Sequence, residues 1–217
     1  MILVNFKIYK ESFGKGAIEL AKICQEVAKK TGIEIIPVVS ALDAYRIKNE
    51  LKIKVLIQHV DNYADGAKTG FISPFQAKEL DLNGSLVNHS EHKLKPGTIK
   101  SMLKNWPDKF ESILCLNSLN QANGWARSLK PTMVAYEPSE LIGSKDKSVA
   151  SEKPQVIKKM VEKFAPIPVL VGAGVKSVED IKISLKLGAK GVLIASGIVT
   201  AKDPKSELLK LATAFGV

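Results

Sequence analysis

The segment Val134-Ala135-Tyr136-Glu137-Pro138 places a carboxylate at the end of an apolar run with the composition of a β-strand. Pro138 should end that strand, because proline has no N–H to donate to a neighbouring strand. A polar segment follows at 139–152, before a helical pattern begins at Pro154. Loops of this length within a compact domain are usually functional. We therefore expect an acid at a strand's C-terminal end with a lid at about 138–152 behind it, although a solvated glutamate beside a surface loop gives the same pattern.

Apolar runs of the same kind recur along the chain and alternate with helical patterns. The predicted strands lie at 2–6, 33–39, 54–59, 85–88, 110–116, 132–136, 167–171 and 191–195. The predicted helices lie at 17–32, 41–51, 74–82, 96–104, 118–129, 154–164, 177–188 and 203–215. Strict alternation at this spacing indicates parallel βαβ units, and near-continuous runs of Ile, Leu and Val are typical of parallel strands buried on both faces.

Eight such units predict an α/β protein with one domain over residues 1–217, in which eight parallel strands close into a (β/α)8 barrel ringed by helices. An open, doubly wound sheet is the structural alternative. It would be expected to carry a glycine-rich dinucleotide fingerprint after the first strand, and the sequence has none there.

Composition and charge limit the kinds of partner and site that the chain is expected to have. The net charge of +10 favours anionic partners, either nucleic acid or small phosphorylated metabolites. Lysines are spread over many helices, and the chain lacks a basic motif interleaved with aromatic residues, so we expect no nucleic-acid partner. The two cysteines, Cys24 and Cys115, lack the spacing of metal ligands and predict neither a metal site nor a disulfide framework.

The expected location follows from the same features. Scarce cysteine fits a reducing cytosol. The N-terminus does not have the pattern of a signal peptide, and the most apolar runs, at 166–175 and 191–200, are too short to span a bilayer. We therefore expect a soluble, cytoplasmic protein without a membrane partner.

Polar residues follow several predicted strands, at the end where (β/α)8 barrels carry their reactive groups. Asn5 and Lys7 follow the first strand, His89 and Glu91 the fourth, and Glu137 the sixth. Together they supply an amide, an ammonium, an imidazole and carboxylates, which suit proton transfer next to a carbonyl. Small residues follow strands seven and eight, where such barrels often bind phosphate through backbone N–H groups. Each feature could occur by chance, but their joint placement at one rim indicates an active site.

These residues resemble the triosephosphate isomerase family in its shorter archaeal form, and the resemblance covers essentially the whole chain. The matching motifs are Val4-Asn5-Phe6-Lys7, Gln58-His59-Val60-Asp61, Gly66-Ala67-Lys68-Thr69-Gly70, Asn88-His89-Ser90-Glu91, Ala135-Tyr136-Glu137-Pro138, Leu141-Ile142-Gly143, Gly172-Ala173-Gly174-Val175 and Ala195-Ser196-Gly197.

The resemblance implies a TIM barrel that interconverts dihydroxyacetone phosphate and glyceraldehyde 3-phosphate through an enediol(ate), without metal or organic cofactor. Glu137 would be the base and His89 the electrophile, a pairing for which this family is itself the standard example. Lys7 would offset negative charge, Asn5 would hydrogen-bond substrate oxygens, and Glu91 would help keep His89 neutral if its N–H points at the ring. The implied phosphate-binding residues are Asn5, Lys7, Ile142, Gly143, Gly172, Gly174, Ala195 and Ser196.

The resemblance also implies a homodimer or homotetramer, because residues 63–71 resemble the family's interface loop, with Thr69 near its tip. The sequence departs from the family pattern at three positions. Lys145 replaces a lid glycine, His92 stands where many members have arginine, and Phe71 where many have an acid. Two alternatives remain open at this stage: another phosphate-binding barrel enzyme, and a basic barrel with an impaired lid that acts as a binding module.

Overall fold

Eight strands pair in sequence order and close on themselves. The computed structural model describes residues 1–138 and 148–216. Its strands are all parallel, and β1 pairs with both β2 and β8, so the sheet has no open edge. They are β1 Ile2–Asn5, β2 Ile35–Val39, β3 Leu56–Ile57, β4 Gly84–Val87, β5 Glu111–Leu116, β6 Met133–Tyr136, β7 Val169–Val171 and β8 Gly191–Ile194. The predicted (β/α)8 barrel is confirmed.

Helices follow the strands and cover the outside of the barrel. Within the described residues they are α1 Lys15–Thr31, α2 Ala41–Leu51, α3 Pro74–Glu79, α4 Pro96–Lys104, α5 Leu119–Asn123, α6 Val149–Glu152, α7 Pro154–Phe164, α8 Val178–Lys186, α9 Ser196–Val199 and α10 Pro204–Ala212. Short 3-10 turns lie at Lys10–Ser12, Trp125–Ser128 and Thr213–Phe215.

One predicted helix and two predicted loops need correction. The helix predicted at 118–129 is divided, because Gly124 has a ψ of −118°, which is not helical, and separates α5 from a 3-10 turn. The last four residues of the polar segment predicted at 139–152 form α6, and the small-residue segment after β8 continues into α9. Both missed helices have four residues, too few to show a helical period in the sequence.

The period-2 alternation of strand side chains separates two layers of core. Alternate residues point into the barrel, where Leu3, Ala135 and their equivalents form an inner apolar cluster. The others pack against the helices in the larger outer core. On the same alternation, Asn5 and Glu137 follow Leu3 and Ala135 on the inner side and reach the C-terminal mouth of the barrel. The fold thus delivers an amide and a carboxylate to one opening.

No helix among the described residues is long and apolar enough to cross a membrane. Cys24 and Cys115 are both buried and unbonded to each other, and burial raises the pKa of the Cys24 thiol to about 12. The Cys24 thiol is therefore protonated at neutral pH and unreactive.

Candidate active site

A cavity of about 230 Å³ opens at the C-terminal mouth of the barrel. It is smaller than the pockets of roughly 300 to 1,000 Å³ that hold drug-sized ligands, so it suits a small metabolite. Its lining residues are Asn5, Lys7, Tyr9, His89, Glu137, Gly172, Gly174, Val175, Lys176, Leu193, Ile194, Ala195, Ser196, Gly197 and Thr200.

Most of the residues singled out in the sequence meet in this cavity. The lining includes Asn5, Lys7, His89, Glu137, Gly172, Gly174, Ala195 and Ser196. Glu91 is not part of the lining but contacts Lys7 and His89, as described below. Thr69 is exposed and does not line the cavity. Ile142 and Gly143, together with the body of the predicted lid at 139–147, lie outside the described residues.

His89 and Glu137 form a close pair inside the cavity. His89 Nε2 lies 3.5 Å from Glu137 Oε1, and both side chains are buried. The other carboxylate oxygen of Glu137, Oε2, is buried and has no hydrogen-bond partner among the described residues. A buried polar atom without a partner is costly to the folded state.

The backbone of Glu91 fixes which nitrogen of His89 carries the proton in the neutral ring. The N–H of Glu91 donates to His89 Nδ1 over 3.2 Å, so Nδ1 acts as an acceptor. In the neutral imidazole the proton then resides on Nε2, the nitrogen that faces Glu137. The expected N–H directed at the ring is therefore present.

Burial and the neighbouring carboxylates shift the pKa of His89 in opposite directions. Burial lowers the pKa, but the hydrogen bond and negative charge of Glu137, with a smaller contribution from Glu91, outweigh it, so the pKa lies above the ordinary histidine value. The hydrogen bond to the Glu137 carboxylate is the largest influence that raises the pKa, and the charge of Glu137 comes second. Both weaken when that carboxylate is protonated, and the imidazole then returns toward its neutral form.

Lys7 is held at the cavity by hydrogen bonds of its backbone and by an ion pair of its ammonium. Its backbone adopts a left-handed φ of 51°, and its N–H donates to Asn5 Oδ1 over 3.1 Å. The amide of Gln58 donates to the Lys7 carbonyl over 2.9 Å. The ammonium forms an ion pair of 2.5 Å with Glu91, whose backbone N–H also contacts His89. Glu91 thus contacts both the ammonium of Lys7 and the imidazole of His89.

Asn88 is a site residue that the sequence reasoning included only as part of a motif. The alternation of β4 would direct Asn88 inward after Leu86 and turn His89 away. Asn88 instead has a left-handed φ of 64°, which asparagine tolerates better than most residues. Its buried side chain donates to the Cys115 carbonyl over 3.0 Å and accepts the Leu94 N–H over 2.9 Å. This break in the strand turns the chain so that the next residue, His89, faces the mouth.

Two glycines in the loop after β7 line the cavity. A Cβ on Gly172 would lie 2.6 Å from Glu137 Cγ, so only glycine leaves room for the carboxylate. Gly174 has a φ of 67°, in the region that favours glycine. Together with the start of α9 at Ser196, this loop presents backbone at the place where barrels of this type bind anions.

The structure adds two lining residues that the sequence reasoning missed, Tyr9 and Lys176. Tyr9 lies two residues beyond Lys7, and Lys176 two residues beyond Gly174, so proximity in sequence to a selected residue was the available signal. Cys115 lies close to Glu137 in the barrel interior. Burial and the charge and hydrogen bond of Glu137 raise the pKa of its thiol well above the ordinary value, so the thiol stays protonated.

Enzymes that combine acid–base groups and an anion-binding loop at the C-terminal mouth of a (β/α)8 barrel form a recognisable class, and this chain falls within it. Comparison with known proteins identifies the family. The family model described as triosephosphate isomerase matches residues 1–215, nearly the full length. The chain belongs to the triosephosphate isomerase family, which confirms the resemblance noted in the sequence.

Individual relatives agree with the family assignment. The chain is 40% identical to the triosephosphate isomerase of Methanothermus fervidus, over 98% of this chain and 97% of that protein. It is 38% identical to the triosephosphate isomerase of Methanobacterium bryantii, over 98% and 96% of the two chains. It is 39% identical to that of Metallosphaera sedula, over 96% and 92%.

Proposed function

We propose that this chain is an aldose–ketose isomerase that interconverts dihydroxyacetone phosphate and D-glyceraldehyde 3-phosphate in glycolysis and gluconeogenesis. The observation that carries the proposal is the pair formed by His89 Nε2 and Glu137 Oε1, buried 3.5 Å apart in a cavity that Lys7 also lines. Membership of the triosephosphate isomerase family and the printed names of the relatives support it.

The proposed chemistry begins with proton transfer. Glu137 removes the proton from the carbon beside the carbonyl and later returns it to the neighbouring carbon. His89 donates a hydrogen bond from Nε2–H to the carbonyl oxygen, which stabilises the negative charge that develops there. It then gives this proton to that oxygen and takes the proton of the hydroxyl on the adjacent carbon, so the carbonyl and the hydroxyl exchange positions. Lys7 offsets the charge of the enediolate and the phosphate, and Asn5 holds the substrate oxygens. Glu91 keeps both Lys7 and His89 in place. These steps involve only proton transfer and charge stabilisation, so the proposal invokes no metal or organic cofactor.

The phosphate is proposed to bind at the other end of the cavity, against backbone N–H groups of the loop that contains Gly172 and Gly174. Ala195 and Ser196 contribute from the start of α9, because the first N–H groups of a helix have no partner within it. Ile142 and Gly143 are assigned to the same site, and the segment around them to a lid, on the family resemblance. We treat residues 1–217 as one catalytic domain.

The test is turnover of the purified full-length protein on both triose phosphates, followed with a coupled dehydrogenase assay. We expect rapid interconversion by the unmodified protein and a loss of roughly 10² to 10⁴ in kcat for Glu137→Gln, the usual worth of a positioned base. Glu162→Gln, which changes an exposed carboxylate on α7, serves as the matched control and should leave kcat unchanged. An unmodified protein that folds but turns over neither substrate contradicts the proposal.

We further propose that the protein is cytoplasmic and assembles as a homodimer or homotetramer. The loop between β3 and α3 exposes large side chains, with Tyr63 and Phe71 in edge-to-face contact at 4.7 Å and Lys68 Nζ 4.6 Å from the Tyr63 ring. Exposed aromatic residues of this kind are typical of protein interfaces. Sedimentation of the unmodified protein and of Thr69→Arg tests the assignment, because a charged, bulky residue at the loop tip should favour the monomer.

A further inference from the structure

Asp180, the third residue of α8, accepts hydrogen bonds from two separate segments of the chain. Its Oδ2 accepts the backbone N–H of Lys176 over 3.1 Å, and both the N–H and the hydroxyl of Ser177 over 3.0 and 2.8 Å. Its Oδ1 accepts the hydroxyl of Ser148, a residue 32 positions earlier in the chain. The contacts with Ser177 form the capping box of α8, but a capping box involves neither Lys176 nor Ser148.

Ser148 lies against the proposed phosphate-binding loop. It is buried, caps the N-terminus of α6, and is followed by Val149, whose N–H donates to the Ala173 carbonyl over 3.2 Å. The loop at 172–177 is therefore fastened at two places, at Ala173 by Val149 and at its C-terminal end by Asp180, and Asp180 joins that end to Ser148.

The loop at 172–177 needs contacts with the rest of the protein to keep one conformation. Gly172, Gly174, Val175 and Lys176 line the cavity, and its glycines are the residues that lose most conformational freedom on ordering. Backbone N–H groups bind an anion well only when they already point at it. Burial of the Asp180 carboxyl opposes its ionisation, but the hydrogen bonds from Ser148, Ser177 and the Lys176 N–H outweigh this and hold its pKa below the ordinary value. At neutral pH the carboxylate is charged and accepts all of these bonds.

We propose that Asp180 is a positioning residue for phosphate recognition: by joining the loop at 172–177 to Ser148, it holds the backbone N–H groups of that loop in the geometry that binds the substrate's phosphate. The inference rests on the proposed function for the identity of the substrate. It assigns Asp180 an effect on binding of the phosphate and none on the proton transfers at Glu137 and His89.

A purely structural role gives a different expectation. If Asp180 only capped α8, its loss would lower the thermal midpoint and leave ligand affinity unchanged. The chain offers a matched control in Asp203, which caps α10 by accepting the Ser206 N–H and hydroxyl over 3.0 and 2.6 Å, and which does not contact the loop at 172–177. Asp203 is the N-cap of α10 and Asp180 the third residue of α8, so Asp203→Asn and Asp180→Asn each remove a negative charge that accepts hydrogen bonds in the first turn of a helix.

The experiment compares both variants in the full chain. Thermal midpoint, KM, kcat and the dissociation constant of inorganic phosphate, measured by calorimetry, are determined for each. We expect Asp180→Asn to raise KM and the phosphate dissociation constant about tenfold, the equivalent of one hydrogen bond to a charged group, with kcat within about twofold of the unmodified protein. Asp203→Asn should leave both binding constants unchanged, whatever its effect on the midpoint.

A second pair of variants tests the hydrogen bond between Ser148 and Asp180 by itself. Ser148→Ala removes the bond to Asp180 and leaves the α8 capping box intact, whereas Ser151→Ala weakens only the α6 capping box. We expect Ser148→Ala to bind phosphate more weakly and Ser151→Ala to bind it as the unmodified protein does. Unchanged phosphate affinity in both Asp180→Asn and Ser148→Ala, or a protein that does not bind phosphate at all, overturns the inference. A protein that binds phosphate in this Asp180-dependent way but does not isomerise triose phosphates would overturn the proposed function and leave the positioning role standing.

Discussion

The Nε2 of His89 and the Oε1 of Glu137 lie 3.5 Å apart although the two residues follow different strands, β4 and β6. A buried imidazole and a buried carboxylate at this separation can both reach a three-carbon molecule. The Glu91 N–H on Nδ1 leaves Nε2–H as the donor toward that molecule. The separation suits the roles proposed for them, His89 as electrophile and Glu137 as base.

His89→Gln should reduce kcat by roughly 10² to 10⁴ at pH 7.5, because the amide cannot take the ring's place between the Glu91 N–H and the substrate. His59→Gln is the control, since His59 is also partly buried but does not line the cavity. Steady-state kinetics of both variants decide the matter. Equal activity of His89→Gln and His59→Gln would exclude His89 from the chemistry.

Gly172→Ala should displace Glu137, the proposed base, without changing that residue itself. The new methyl group would lie 2.6 Å from Cγ and 3.0 Å from Oε1 of Glu137, so the carboxylate must move. Displacement of a reacting group by about 1 Å can cost on the order of 10² in rate, and we expect a loss of that size in kcat.

Gly97→Ala provides the control for that substitution. A Cβ at Gly97, near the start of α4, meets nothing within 4 Å, so activity should be unchanged and the thermal midpoint equal or slightly higher. A Gly172→Ala protein as active as Gly97→Ala would show that the base tolerates displacement.

The sequence predicted the fold well because its local signals agree with each other. Pro74, Pro96 and Pro154 each occupy the first position of a helix, and Ser177 with Asp180 forms a capping box at the start of α8. Continuous apolar runs specified strands buried on both faces. The errors fall where a local conformation, and not a period, decides the outcome: Gly124 divides one predicted helix, and α6 and α9 are too short to be periodic.

The candidate site was partly predictable for a related reason. Strand alternation accounts for Asn5 and Glu137 at the mouth, but it would turn His89 outward. The left-handed φ of Asn88 reverses that, and no pattern of residue types specifies a single φ angle. The positioning role proposed for Asp180 could not be predicted from the sequence either, because its hydrogen bond to Ser148 joins residues 32 apart in the chain.

Asn88 therefore offers a test of how His89 is directed. Asn88→Gly permits the left-handed φ and removes the bonds to Cys115 and Leu94, while Asn88→Ala removes the bonds and also strains the backbone by about 1 to 2 kcal/mol. We expect both to lower kcat with little change in KM, and Asn88→Ala to unfold at lower urea concentration. Kinetics and urea unfolding measure the two effects separately. If kcat is normal in Asn88→Gly, the side-chain bonds do not position His89.

Outside the cavity, His59 stacks on His92 with ring centroids 3.8 Å apart and an interplanar angle of 17°. Burial lowers the pKa of His59, the charge of His92 lowers it further, and Asp61, whose Oδ1 lies 3.4 Å from Nε2, opposes both. The unfolded chain therefore binds a proton at His59 more readily than the folded chain does. Stability from this residue is present above the ordinary histidine pKa and is lost as pH falls through that value toward the lower folded pKa.

His92→Gln should reduce that pH dependence, because it removes the neighbouring charge and lets the pKa of His59 rise toward its ordinary value. The raised pKa of His89 acts in the opposite sense, since its contribution is lost as pH rises, but it is common to both proteins and cancels in their difference. We expect the free energy of unfolding of His92→Gln, relative to the unmodified protein, to improve as the pH is lowered from 7.5 to 5.5. Urea unfolding across that range measures it, and a difference that stays constant with pH would show that His92 does not influence the pKa of His59.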